Sequence, residues 1–143
     1  MNPDAEGCIF CSKPKSNEDR KNLVLHRGKT SFVIMNLYPY NTGHLMIAPY
    51  RHVEWPYELN GEESTELLSL LNKCLHVLDK AMKPEGFNVG FNLGRSAGAG
   101  MAHLHLHIVP RWVGDTNFMP VTGGAKVVPE SLDSTYVRLR DAF

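Results

Sequence analysis

The sequence predicts an α+β fold, a mainly antiparallel sheet with one long helix packed on it and a short helix at the C-terminus. Three observations carry that expectation. Short apolar segments alternate or run continuously between turn residues, as strands do. A single long stretch, Glu62–Lys83, switches to helical spacing. The strands follow one another through turns too short for parallel crossovers.

Each element has its own punctuation. Asn22–His26 and Thr30–Met35 flank HRGK, whose Gly28 suits a tight turn, so NLVLHRGKTSFVIM reads as a β-hairpin. Pro39, Asn41 and Gly43 interrupt the chain before His44–Ala48 resumes as a third strand, ended by Pro49. Leu67, Leu71, Cys74, Leu75, Leu78 and Met82 form the apolar stripe of the long helix, with Asn60 and Glu63 as an N-terminal capping box. Lys80 and Lys83 suit its negative end, and Pro84 and Gly86 stop it. Phe87–Leu93 alternates like a strand, GRSAGAG turns, and Ala102–Pro110 is a further strand. From about residue 111 the tail is irregular, until Leu132, Tyr136 and Leu139 mark a last helix.

Composition narrows the function. At 143 residues the chain matches one domain of roughly 150 residues, too short for an eight-fold βα barrel. Its 15 basic residues balance 15 acidic ones, which argues against a polybasic surface for nucleic acid or anionic membrane. No apolar run approaches the ~20 residues of a membrane helix, and MNPDAEG is too polar for a signal peptide. With 3 cysteines there is no disulfide framework. The expectation is a soluble, cytoplasmic protein with no nucleic-acid or membrane partner.

The chemistry concentrates in AHLHLHIVP. Residues two apart on a strand share a face and lie about 6.6 Å apart, so His103, His105 and His107 are expected to line one face while Leu104, Leu106 and Ile108 face the helix. Stacking three half-polar rings gains nothing that Val or Thr would not supply better, which favours function over a solvated face. Spacing leaves two chemistries open. Histidines two apart can present a metal, or a neutral imidazole can attack phosphorus and carry the group covalently. Gly98, Ala99, Gly100 and Met101 lean towards phosphate, because a small-residue turn can aim backbone N–H groups at an anion. Cys8-Ile9-Phe10-Cys11 stands before a polar stretch rather than between a strand and a long helix, which disfavours a thioredoxin-like redox role.

HLHLHIV resembles the His-φ-His-φ-His-φ-φ signature of the histidine triad (HIT) superfamily of nucleotidyl hydrolases and transferases. FVIMNLYPYNTGHLMIAPYRHV is similar to its strand–loop–strand, and NLGRSAGAGMAHLHLH to its strand–turn–strand. The likeness runs from Cys8 to about Val128, and the tail resembles a bacterial branch that includes diadenosine tetraphosphate phosphorylases. The resemblance implies one HIT domain over residues 1–143, a homodimer, and a nucleotide substrate cleaved through a nucleotidyl-His105 intermediate. By position it implies that His107 serves the leaving group and His44 supports the cluster. Asn36 would meet the ribose and Asn92 the phosphates, with Ile9 and Phe10 as the apolar wall against the base. Trp112 is expected either in the core or at the substrate. The superfamily's zinc-containing branch implies a structural zinc on Cys8, Cys11, His52 and His103. Where many members carry Gln and then Ser or Thr before the triad, this chain has Ala99 and Gly100. Side-chain hydrogen bonds are lost there, which leaves backbone N–H groups or room for a phosphate acceptor. Cys74 and the solvated His76 and His26 carry no expected role. Arg95, Arg111 and Lys126 could meet a polyphosphate, as could any exposed basic residue.

Overall fold

A computed structural model describes residues 6–115 and 131–143; Lys126 and most of the tail fall outside them. The short helices α1 (Ile9–Ser12) and α2 (Asp19–Asn22) precede strands β1 (Val24–Arg27), β2 (Ser31–Met35) and β3 (Leu45–Pro49). The long helix α3 (Gly61–Met82) follows, then β4 (Gly86–Phe91), β5 (Leu106–Arg111) and α4 (Leu132–Arg140). The five strands form one sheet in the order β1-β2-β3-β5-β4, with every pairing antiparallel. The α+β expectation holds. No helix among the described residues is long and apolar enough to cross a membrane.

The first hairpin is locked by a side chain that sequence periodicity cannot reveal. The Glu66 carboxylate, reaching from α3, accepts from the backbone N–H groups of Lys29, Thr30 and Ser31 and from the Thr30 hydroxyl, at 2.6–2.9 Å. Gly28 is needed for this close approach, since a Cβ there would lie 2.7 Å from Glu66 Oε1 and 2.8 Å from the Ser31 carbonyl. Those bonds favour the charged carboxylate strongly enough to lower its pKa despite burial.

Helix α3 begins as its sequence predicts, with Asn60 accepting from Glu63 N–H and Glu63 reaching back to Asn60 N–H. Its buried face runs through Glu63, Leu70, Cys74, Val77 and Leu78, so the expected stripe is turned: Leu67, Leu71, Leu75 and Met82 lie at its margin. Glu63 tolerates burial because Arg51 donates to both its oxygens. Cys74 is a core residue, and burial pushes its thiol pKa up to about 12. His76 is exposed, but His26 is half-buried and stacks on Phe143 at 5.6 Å, which corrects its reading as a solvated residue.

The triad segment departs most from expectation. Strand β5 starts at Leu106, so His107 alone of the three histidines lies on it, and they do not share one strand face. Pro49, the would-be partner, has no N–H to extend the β3 ladder. Leu104 N–H donates instead to the Val53 carbonyl beyond β3, at 2.7 Å. That detour sends His103 to one corner and leaves His105 and His107 in another. Strands β2 and β3 are buried at all five positions each, so both faces of the sheet are covered here.

Candidate active site and metal corner

Cys8 opens α1 and Cys11 lies one turn on, with Cys11 N–H donating to the Cys8 carbonyl at 3.2 Å. Both sulfurs are buried beside His103, whose Nδ1 is 3.4 Å from Cys8 Sγ and 3.5 Å from Cys11 Sγ. His52, on the loop after β3, brings its Nδ1 to 3.3 Å from Cys11 Sγ and 3.0 Å from His103 Nδ1. All four donor atoms lie within 4.8 Å of one another. Four ligands at zinc distances of about 2.0–2.3 Å would sit about 3.3–3.8 Å apart, so the spacing suits a tetrahedral ion. His103 is oriented for it, because its Nε2–H donates to the Pro49 carbonyl at 2.8 Å and leaves the Nδ1 lone pair facing the sulfurs. The cluster can therefore hold a metal.

One turn of chain away the imidazoles are arranged differently. His105 Nδ1–H donates to the His103 carbonyl at 2.7 Å, which leaves Nε2 with a free lone pair. Phe10, 1% exposed, stacks on that ring at 4.6 Å, so it backs His105 as much as it lines the cleft. His107 meets His105 edge to face at 4.8 Å, and its Nδ1 lies 2.9 Å from His44 Nε2. Tyr40 N–H donates to His44 Nδ1 at 3.2 Å. A neutral His44 therefore carries its proton on Nε2 and donates it to His107 Nδ1, which leaves the His107 proton on Nε2. The Asn36 amide oxygen accepts from Tyr38 N–H at 2.9 Å. Its nitrogen lies 3.4 Å from His44 Nε2, whose nearer partner is His107 Nδ1 at 2.9 Å, and 3.7 Å from Met46 Sδ.

Burial keeps these rings neutral. It lowers the pKa of His44 and His107 to about 4 each, with further repulsion from their histidine neighbours, and lowers that of His105 as well. His103 is likewise lowered by burial, to about 4.

His105 and His107 open onto a cleft of about 380 Å³, in the range of small-molecule sites. Of the expected substrate residues, Ile9, Phe10, Asn36, Gly100 and Met101 line it. Ile34, Met35, Leu37, Tyr38, Met46 and Lys13 do so as well, and the sequence reading missed them. The signal was present in part: FVIM and LMIA are apolar without alternation, the mark of strands covered on both faces. Asn92, Gly98, Ala99 and Trp112 are not among the lining residues. Asn92 is exposed beyond the end of β4. The amides of Gly98 and Ala99 close the turn on the carbonyls of Arg95 and Gly94, at 3.0 and 3.1 Å, rather than facing an anion. Trp112 lies past the far end of β5, where its N–H donates to Asp115. Arg111 is engaged by Asp115 and Asn88, and Arg95 is exposed.

Comparison with known proteins fits this geometry. The HIT domain model matches residues 17–113. The AP-4-A phosphorylase of Mycobacterium tuberculosis is 50% identical over 118 residues, 82% of this chain and 60% of the relative's length. The chain thus spans about 60% of the length of that relative. The adenosine 5'-monophosphoramidase of Schizosaccharomyces pombe is 33% identical over 73% of this chain and 74% of its own. Among solved structures, a hypothetical histidine triad nucleotide-binding protein from Sulfolobus tokodaii superposes with a TM-score of 0.74 at 26% identity, covering 94% of this chain and 91% of that one. The triad segment, the sheet that carries it and these relatives lead to one conclusion: the chain belongs to the HIT family.

Proposed function

We propose that this protein cleaves dinucleoside polyphosphates, with diadenosine tetraphosphate as the favoured substrate and inorganic phosphate as the favoured acceptor. The observation that carries the reading is His105: its Nδ1–H is committed to the His103 carbonyl, and its Nε2 is free at an apolar cleft beside His107. The likeness to a phosphorylase of this substrate supports the choice.

In this reading Ile9 supplies the apolar surface for the base, Phe10 fixes the His105 ring, and Asn36 lies at the ribose. His105 Nε2 attacks the α-phosphorus, forming a P–N bond as the bridging P–O bond breaks. His107 Nε2–H donates a hydrogen bond to the departing oxygen, so that ATP leaves with its negative charge stabilised. Phosphate then attacks the adenylyl-His105, releasing ADP and restoring the imidazole. Gly100 and Met101 line the cleft without a hydrogen-bonding side chain, and the phosphate acceptor would enter beside them. Cys8, Cys11, His52 and His103 would hold a zinc ion, which when bound serves as a structural cross-link between the N-terminal turn and the triad segment. The whole chain then acts as one HIT domain, a homodimer in the cytoplasm.

Products formed from diadenosine tetraphosphate, with and without inorganic phosphate, test the reading. ADP plus ATP formed only with phosphate is the expected result, and AMP plus ATP regardless of phosphate makes water the acceptor. A second reading, hydrolysis of adenosine phosphoramidates, uses the same histidines and draws on the likeness to the fission-yeast phosphoramidase. Faster AMP release from a phosphoramidate than from any dinucleotide selects it. A metal-loaded protein that turns over neither substrate would instead be a binding module.

A further inference from the structure

The hydrogen bonds that fix the His44 tautomer do not end at His44. The loop between β2 and β3 closes by His44 N–H donating to the Asn41 carbonyl at 3.1 Å, and Asn36 N–H donating to the His44 carbonyl at 3.0 Å. Gly43 completes the turn at φ +86°, where a Cβ would lie 2.7 Å from Met82 Sδ. The Asn41 side chain leaves the loop altogether. Its Nδ2 donates to the Pro110 carbonyl on β5 at 2.8 Å and to Asp115 Oδ2 at 2.7 Å.

Asp115 is itself held on three sides. It accepts from Trp112 N–H at 2.9 Å and from Arg111 Nε and Nη2 at 3.0 and 2.9 Å, and Arg111 also bonds Asn88 on β4. Asp115 N–H closes a turn on the Trp112 carbonyl at 3.1 Å, so the chain leaving β5 folds back under the loop. The result is a continuous path: Asp115 to Asn41, along one peptide to the Tyr40 amide, then to His44 Nδ1 and His107 Nδ1. Every link past Asn41 bears on a proton position. Without the Tyr40 donor, His44 can carry its proton on either nitrogen. With the proton on Nδ1, His44 Nε2 becomes an acceptor and draws the His107 proton to Nδ1, away from the cleft.

The geometry points to Asn41 and Asp115 as positioning residues for the histidine cluster: their side-chain hydrogen bond holds the loop so that the Tyr40 amide stays on His44, which keeps the His107 proton on Nε2. Neither residue touches the cleft. The role rests on the reading of His107 Nε2–H as the hydrogen-bond donor to the leaving oxygen, but the proton's location is measurable without any reaction.

The test is long-range ¹H–¹⁵N correlation of the imidazoles at neutral pH without substrate, with His107 assigned by comparison with His107→Gln. The wild-type protein should show a protonated Nε2 and a bare Nδ1 on His107. In Asn41→Leu, nearly the same size but with no donor, both nitrogens should move towards averaged positions. Its kcat on diadenosine tetraphosphate should fall roughly ten-fold with KM within about two-fold, as for a misaligned rather than a missing group. Asp115→Ala should follow it, and Asp115→Asn, which keeps an acceptor oxygen, should stay near wild type. Should Asn41→Leu fail to fold, the two Asp115 variants carry the same comparison. An unchanged His107 pattern in folded Asn41→Leu or Asp115→Ala overturns the proposal, with or without a loss of kcat. Turnover surviving in His105→Ala would remove the reaction while leaving the tautomer result standing.

Discussion

His103 and His105 are two residues apart and burial disfavours the charge on both rings, yet His103 is fully buried, His105 is half-buried, and the two present opposite nitrogens. His103 gives its Nε2–H to the Pro49 carbonyl and turns Nδ1 towards two sulfurs and a third imidazole. His105 gives its Nδ1–H to the His103 carbonyl and turns Nε2 towards an open cleft. The side chain is the same, and the local carbonyl that takes the proton decides which nitrogen is available. The surroundings then decide what it meets, soft donors in a closed corner or an apolar cleft with a further pair of histidines. Residue type therefore fixes little at this site, and the backbone around each ring fixes most.

That contrast can be broken most sharply by removing one ring at a time. His105→Ala should lower turnover of diadenosine tetraphosphate on the order of a thousand-fold or more, with unchanged thermal unfolding and metal content. Cys11→Ser should do the reverse. If the corner holds a metal as proposed, this variant should lose it, measured by elemental analysis, together with stability on the order of several kcal/mol by denaturant unfolding. The protein that remains folded should keep most of its turnover. Equal losses of activity in the two variants would erase the distinction between the corner and the cleft.

Proton linkage separates the cleft more finely. His44 and His107 protonate near 6.5 in an unfolded chain but only near 4 when folded, because burial disfavours the charged ring. Between those values the unfolded state binds more protons, so their contribution to stability is complete above 6.5 and is lost as pH falls towards 4. The melting temperature should drop steeply across that window, and less steeply in His44→Gln. Identical slopes would mean that other groups carry the acid sensitivity.

Far from both regions, Glu66→Ala should cost about 2 kcal/mol, because three backbone N–H groups and a hydroxyl lose a charged acceptor. Lys29→Ala, which removes only the exposed pair with Glu62, should change stability by less than about 0.5 kcal/mol. Denaturant unfolding of both variants marks the scale against which losses at the metal corner are judged.

What could be read from the chain followed the range of the interactions. Asn60 and Glu63 announced the start of α3 because a capping box is three residues long, and Leu132, Tyr136 and Leu139 announced α4 by their spacing. The triad strand was drawn too long because its N-terminal end depends on Pro49 and Val53, some fifty residues earlier. The metal corner joins Cys8 and Cys11 to His52 and His103, and only resemblance to a family, not spacing, brought those together. The cleft shows the same division. His105 and His107 stood out as polar residues in an apolar run, and His44 and Asn36 entered only through resemblance to a family, whereas Lys13 and Tyr38 resemble any surface residue until the fold places them at its rim. Glu66 and Asp115 gave no signal and Asn41 only that of a turn residue, since each acts by a hydrogen bond to a distant backbone or side-chain group.

The assignment of His105 as the nucleophile is tested most directly by quenching the protein during turnover of diadenosine tetraphosphate and measuring its mass, followed by peptide mapping. A chain carrying one adenylyl group on the peptide that contains His105, absent from His105→Ala and discharged by inorganic phosphate to ADP, is the predicted result. Turnover with no adduct at any quench time, together with wild-type-like rates in His105→Ala, would contradict it.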